Sequence, residues 1–206
     1  MSYPAPVRLH GIDQPPDKAP ILLAAPGDGP SWAAEHKDAL RATVAEHGSV
    51  LVRGLGLRDA AEVSAVFQQL SSTGLMIERE AFASRRIYSD GVYSSATWPA
   101  NQPMCMHHEL SYRLEFPSLL LFACLNAPTS GGATAVSDSR AVLNALPAEL
   151  VARFERDGWM LTRSYNDEIG ATVAEAFGTD DRGAVEAYCR GNAIGFEWQP
   201  DGGLRT

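Results

Sequence analysis

Cys105-Met106-His107-His108-Glu109-Leu110 (CMHHEL) places an imidazole and a carboxylate two residues apart, and the fold is read outward from that spacing. In a β-strand, side chains at i and i+2 leave the same face. His107 and Glu109 are therefore expected to converge on one cation, with His108 on the opposite face. Two ligands hold a metal weakly. The other histidines stand at positions 10, 36, 47 and 108, so no imidazole follows position 108.

Downstream of this pair, Ser118-Leu119-Leu120-Leu121-Phe122-Ala123-Cys124-Leu125 is a continuous apolar run bounded by Pro117 and by Pro128, Gly131 and Gly132. That pattern predicts a strand buried on both faces. Residues 133–137 predict a further strand. Asp138 is placed to cap a helix reaching Leu146, and Pro147 to open another reaching Arg156. Extended chain is expected over 159–165, helices over 172–177 and 182–189, and a strand over 193–198. Upstream, Ser31 reads as the cap of an amphipathic helix over 32–47 stopped by Gly48, a short strand covers 49–53, and Asp59 caps a helix to Leu70. Residues 71–101 lack periodicity and read as a long connection of the kind that lines a site. Residues 1–30 form an irregular lead-in with one short strand at 21–24. Strands interrupted by helices, with no Gly-rich strand-to-helix fingerprint, indicate an α+β architecture.

Composition excludes several classes of function. The 206 residues are 45% hydrophobic and 20% charged, as in an ordinary globular domain. A formal charge of −8 and a pI near 5.1, with no Lys/Arg cluster, argue against a nucleic-acid or anionic-membrane partner. No segment approaches the roughly 18 apolar residues of a membrane span, and no signal h-region opens the chain. A cytoplasmic protein is expected. Cys105, Cys124 and Cys189 suit reduced thiols better than a disulfide framework.

Non-haem Fe(II) oxygenases hold the metal on one face with two imidazoles and one carboxylate, which His107 and Glu109 suit in part. Cys105, His107 and Glu109 also allow a zinc cluster, although such a site ordinarily takes four ligands. Arg140 and Arg163 are read as surface or salt-bridged cations, with contact to an anionic cosubstrate as the other reading. Tyr88, Tyr93 and Trp98 either line a pocket or anchor a core.

The order Pro117, apolar run 118–125, Gly131-Gly132-Ala133-Thr134 and Asp138-Ser139-Arg140 after the His-x-Glu pair resembles the TauD/TfdA (taurine dioxygenase-like) family of Fe(II)- and 2-oxoglutarate-dependent oxygenases. The likeness is strongest over residues 105–146. His-x-Glu, rather than His-x-Asp, is similar to the clavaminate synthase and SyrP-like branch, many of whose members hydroxylate amino acids, free or tethered to a carrier protein. The resemblance implies a double-stranded β-helix (jelly roll) with flanking helices. It implies His107 and Glu109 as Fe(II) ligands and Thr134 as a hydrogen-bond donor to a carboxylate of 2-oxoglutarate. Without it, Thr134 reads equally as an ordinary strand residue.

The implied activity is hydroxylation of a small molecule in specialised metabolism such as antibiotic biosynthesis, and Glu109 at the carboxylate position argues against halogenation. An inactive jelly-roll binding or interaction module is the alternative. The family places its distal histidine and its 2-oxoglutarate arginine near the end of a longer chain. Residues 31–206 are accordingly expected to be the N-terminal portion of the oxygenase domain, through truncation, a shifted reading frame or a divided gene. A C-terminal complementing half is then an expected partner.

Overall fold

A computed structural model describes residues 12–13, 21–24, 29–80, 85–96, 101–168 and 170–206. They fall into two compact units, Met1–Leu75 with Tyr88–Val92 and Leu121–Gly132, and Met76–Ile87 with Tyr93–Leu120 and Ala133–Thr206.

In the first unit, Ile12–Asp13 (β1) pairs antiparallel with Ile21–Leu23 (β2), which pairs in parallel with Leu51–Arg53 (β3). The connection between β2 and β3 is the helix Gly29–His47 (α1), which packs against Ala60–Leu70 (α2). Ala33, Ala39 and Leu40 of α1 and Val63 and Val66 of α2 are the buried residues of this pair. Small residues let the helix axes approach. α1 begins at Gly29, two residues before the expected Ser31 cap; Gly29 lies against Leu57 and Val66, where a Cβ would meet side-chain atoms at 3.0 and 3.3 Å. Asp59 caps α2 as expected, accepting from the Glu62 N–H at 2.9 Å.

The expected connection over 71–101 contains a hairpin, Ile87–Ser89 (β4) and Val92–Tyr93 (β5), around Asp90-Gly91. Gly91 has φ +74, and a Cβ there would sit 2.3 Å from Leu75 Cβ, so the turn requires glycine twice over.

The second unit is built on Ser164–Tyr165 (β6), Glu197–Trp198 (β7) and Leu204–Arg205 (β8), with β8 central and both pairings antiparallel. Its core comprises Tyr165, Ala171, Ala176, Phe177, Val185, Cys189 and Leu204. Val173–Phe177 (α5) carries a full capping box between Thr172 and Glu175, and Arg182–Gly191 (α6) is capped by Asp181. Between 102 and 163 lie Ser139–Ala145 (α3), capped by Asp138, and Ala148–Asp157 (α4), entered through Pro147. Neither α3 nor α4 contains a buried residue.

Three expected strands are not formed. Residues 103–108 are unpaired and 109–112 form a turn in which Leu110 is buried with φ +51, so the His-Glu segment is a loop entering a turn. The run 118–125 is unpaired and exposed, with Phe122 at 72%, and 133–137 is likewise unpaired. A doubly buried strand needs neighbours at its edges and cover on both faces, and the described residues supply neither. The mixture of helices and strands is as read from the sequence, but among the described residues the three small sheets close no barrel.

Glu80 organises the second unit. Only 4% exposed and held at φ +58, it donates its N–H to the Ala176 carbonyl at 2.6 Å. Its own carbonyl accepts from Tyr112 Oη at 2.8 Å and Arg163 Nη1 at 2.7 Å. Its carboxylate accepts from Tyr188 Oη at 2.8 Å and lies 3.7 Å from Arg113 Nε and 3.8 Å from Arg163 Nη1. Both guanidiniums are buried, stacked over Tyr188 and over Tyr112 and Tyr165 respectively. Glu80→Gln leaves two buried cations without their counter-charge and is expected to cost about 3–5 kcal/mol, read by urea denaturation. An unchanged midpoint would contradict this role. Burial pushes the phenols of Tyr112, Tyr165 and Tyr188 above their ordinary value. Their folded-state values are raised, so their contribution is full below the unfolded phenol value near pH ~10 and is lost as pH rises through the folded values. Stability should therefore fall above about pH 10, with phenolate absorbance from these tyrosines appearing together with unfolding.

Candidate metal centre

His107 and Glu109 meet although no strand presents them. His107 Nε2 lies 3.5 Å from Glu109 Oε2. On the other side of the ring, Nδ1 lies 2.8 Å from the Cys105 carbonyl oxygen. A carbonyl only accepts, so a proton on Nδ1 would make this contact a hydrogen bond and, in that neutral tautomer, leave Nε2 its lone pair. That is the tautomer of a metal-ligating imidazole oriented by a backbone carbonyl. His107 lies in the unpaired stretch 103–108, and Glu109 is the first residue of the turn over 109–112.

Glu109 is the more enclosed of the two, with its side chain 27% exposed against 55% for His107. Its second oxygen, Oε1, lies 3.6 Å from Arg85 Nη2, and Arg85 Nε lies 3.4 Å from Glu78 Oε2. Arg85 thus joins two carboxylates and leaves Glu109 Oε2 facing the imidazole. Burial raises the Glu78 carboxyl above its ordinary value, with Arg85 opposing the shift and Glu109 adding to it. The Glu78 backbone N–H in turn donates to Tyr93 Oη at 2.8 Å, which makes Tyr93 an anchor of this segment.

The remaining expected residues are placed differently. Cys105 is exposed and contributes its carbonyl, and among the described residues no three His, Cys, Asp or Glu side chains gather as a metal set. The zinc cluster drawn from Cys105, His107 and Glu109 therefore has no geometric support. Thr134 is exposed on an unpaired segment, and no described hydrogen bond ties it to the His-Glu pair. Arg140 is a surface cation 3.8 Å from Asp138, and Arg163 is the buried partner of Glu80, as their salt-bridged readings expected. Tyr88 is 47% exposed, while Trp98 lies outside the described residues. A cleft of about 300 Å³ among Thr162, Tyr165, Gln199, Asp201 and Arg205 contains neither His107 nor Glu109.

Arg85, Glu78 and Glu80 carry structural weight that the sequence reading missed. The signal was the density of charge in Glu78-Arg79-Glu80 and Arg85-Arg86, inside a connection whose other charged residue is Asp90. Spacing alone does not say which carboxylate each arginine meets.

Chemically, one imidazole lone pair and one carboxylate oxygen at 3.5 Å fit two of the three protein positions of an Fe(II) facial set. A third donor does not join them among the described residues. Comparison with known proteins adds the lineage of this arrangement. The family model for taurine catabolism dioxygenase TauD, TfdA family matches residues 16–193. The dapdiamide synthesis protein DdaC of Enterobacter agglomerans is 31% identical over 163 residues, covering 79% of this chain and 49% of that protein. A clavaminate synthase-like protein of Arabidopsis thaliana is 29% identical over 175 residues, covering 78% of this chain and 51% of its own length. The chain spans about half the length of the curated relatives it matches. With a family match reaching across both helices and strands of the two units, this chain belongs to the TauD, TfdA family of dioxygenases.

Proposed function

We propose that the chain contributes to an Fe(II)- and 2-oxoglutarate-dependent dioxygenase of jelly-roll fold, with His107 and Glu109 as two of the metal's protein ligands. The observation that carries this reading is the 3.5 Å approach of His107 Nε2 to Glu109 Oε2 with Nδ1 2.8 Å from the Cys105 carbonyl oxygen. Fe(II), when bound, supplies the activation of dioxygen that couples oxidative decarboxylation of 2-oxoglutarate to hydroxylation of a substrate C–H bond. His107 offers a neutral donor and Glu109 a negative charge. Arg85 holds the second oxygen of Glu109 and so limits how that carboxylate turns. Thr134 is proposed to donate to a carboxylate of 2-oxoglutarate, and its exposed position leaves the hydroxyl accessible to an anion.

The substrate class is a small molecule of specialised metabolism, an amino acid free or tethered to a carrier protein. Similarity to a protein of dapdiamide synthesis supports that class. A cytoplasmic location belongs to the same reading, and among the described residues no helix is long and apolar enough to cross a membrane. One observation favours the rival reading of an inactive binding module: among the described residues, two donors gather at the site and no third joins them.

Anaerobic calorimetric titration with Co(II) as an Fe(II) surrogate separates the two. The chain should bind Co(II) weakly, and His107→Ala and Glu109→Ala should each weaken binding by at least about tenfold, the loss caused even by an outer-sphere partner. Cys105→Ser should leave it unchanged. Binding indifferent to both ligand substitutions would overturn the assignment, and rapid iron-dependent consumption of 2-oxoglutarate by the 206 residues alone would contradict the view of the site as partial.

A further inference from the structure

Arg85 stands between two carboxylates, and the surrounding chain fixes it there. Its Nη2 lies 3.6 Å from Glu109 Oε1 and its Nε 3.4 Å from Glu78 Oε2. A guanidinium is planar and always charged, so contacts at two of its edges set its plane as well as its place. The backbone beside it is clamped: the Arg86 N–H donates to Ser94 Oγ at 3.0 Å, and the Ser94 N–H donates to the Arg86 carbonyl at 2.8 Å. Glu78 is tied one residue away, its N–H donating to Tyr93 Oη at 2.8 Å, and its side chain is only 14% exposed. Tyr93 and Ser94 thus steady both the arginine and the carboxylate that holds it.

The consequence falls on Glu109. A carboxylate meets a cation through one oxygen or through both. Here Oε2 faces His107 Nε2 at 3.5 Å, while Oε1 faces Arg85. An ion seated between His107 and Glu109 reaches Oε1 only by displacing the guanidinium. We propose that Arg85 is a positioning residue that sets metal selectivity: it confines Glu109 to one oxygen and so disfavours ions that take a carboxylate through both. Ca(II) is such an ion, gathering about six to eight oxygens with carboxylates bound singly or in pairs. Divalent transition ions accept one imidazole nitrogen and one carboxylate oxygen. The inference rests on the reading of His107 and Glu109 as metal ligands.

Competition titration of the 206-residue chain tests it, with Co(II) followed by its absorbance and Ca(II) added as the displacing ion. The parent should prefer Co(II), and Arg85→Met should lower the Co(II)-over-Ca(II) preference at least about tenfold, the lower end of an outer-sphere partner's effect. Loss of a positive charge alone, or a loosened loop, changes both divalent affinities together and leaves their ratio in place. Arg85→Lys keeps the charge in a side chain that is 27% exposed, which guards against loss of the fold, but it lacks the planar fork and should follow Arg85→Met. Glu78→Gln, which takes the charge from one anchor of Arg85, should move the ratio the same way by less. An unchanged ratio in Arg85→Met, or the parent's ratio in Arg85→Lys, would overturn the proposal and leave the ligand assignment standing where Glu109→Ala still weakens Co(II) binding. Co(II) binding indifferent to Glu109→Ala would overturn both.

Discussion

The second unit depends on one buried carboxylate. Glu80 draws together three stretches distant in sequence: the turn carrying Tyr112 and Arg113, the β6 approach through Arg163, and α6 through Tyr188. Through its backbone N–H it also fixes α5 at Ala176. Two guanidiniums face one carboxylate, and among the described residues Arg113 Nε and Nη1 find no hydrogen-bond partner, so each member of the cluster is costly to remove. The tyrosines share the work. Their rings cover the cations while Tyr112 and Tyr188 satisfy the carbonyl and carboxylate oxygens of Glu80.

That constraint reaches the proposed metal ligands through a few residues. Arg113 and Tyr112 tie the end of the 109–112 turn to Glu80, and Leu110 is buried at positive φ within it. Glu109 therefore leaves from an anchored turn, while His107 leaves from an open loop and is held through the Cys105 carbonyl and Glu109. Arg85 adds a second restraint on Glu109 from the Glu78 side. The rigid ligand is the carboxylate and the adaptable one is the imidazole.

The helices were legible because their signals are local. Asp59 and Asp138 cap α2 and α3 at the positions read from the sequence, and Pro147 opens α4. The His-Glu pairing was legible as a spacing, although a turn achieves it where a strand was expected. Strands 105–110, 118–125 and 133–137 failed for a physical reason: a strand exists through partners, and alternation or an apolar run states only what the segment is able to do when they are present. The Glu80 cluster was illegible for the related reason that its contacts span 83 and 108 residues, and no local pattern encodes them. The family likeness, carried by a few residues over 105–146, held across the far longer match of 16–193.

The central claim is that His107 presents Nε2, with its lone pair, beside Glu109 to a metal. Long-range 15N–1H correlation spectra of the histidine-labelled chain, titrated with Zn(II) as a diamagnetic stand-in for Fe(II), test it directly. The account predicts a metal-free His107 protonated on Nδ1, and a metal-induced shift at His107 Nε2 that Glu109→Ala abolishes. A metal-free His107 without a proton on Nδ1, or a shift confined to His108, would contradict it.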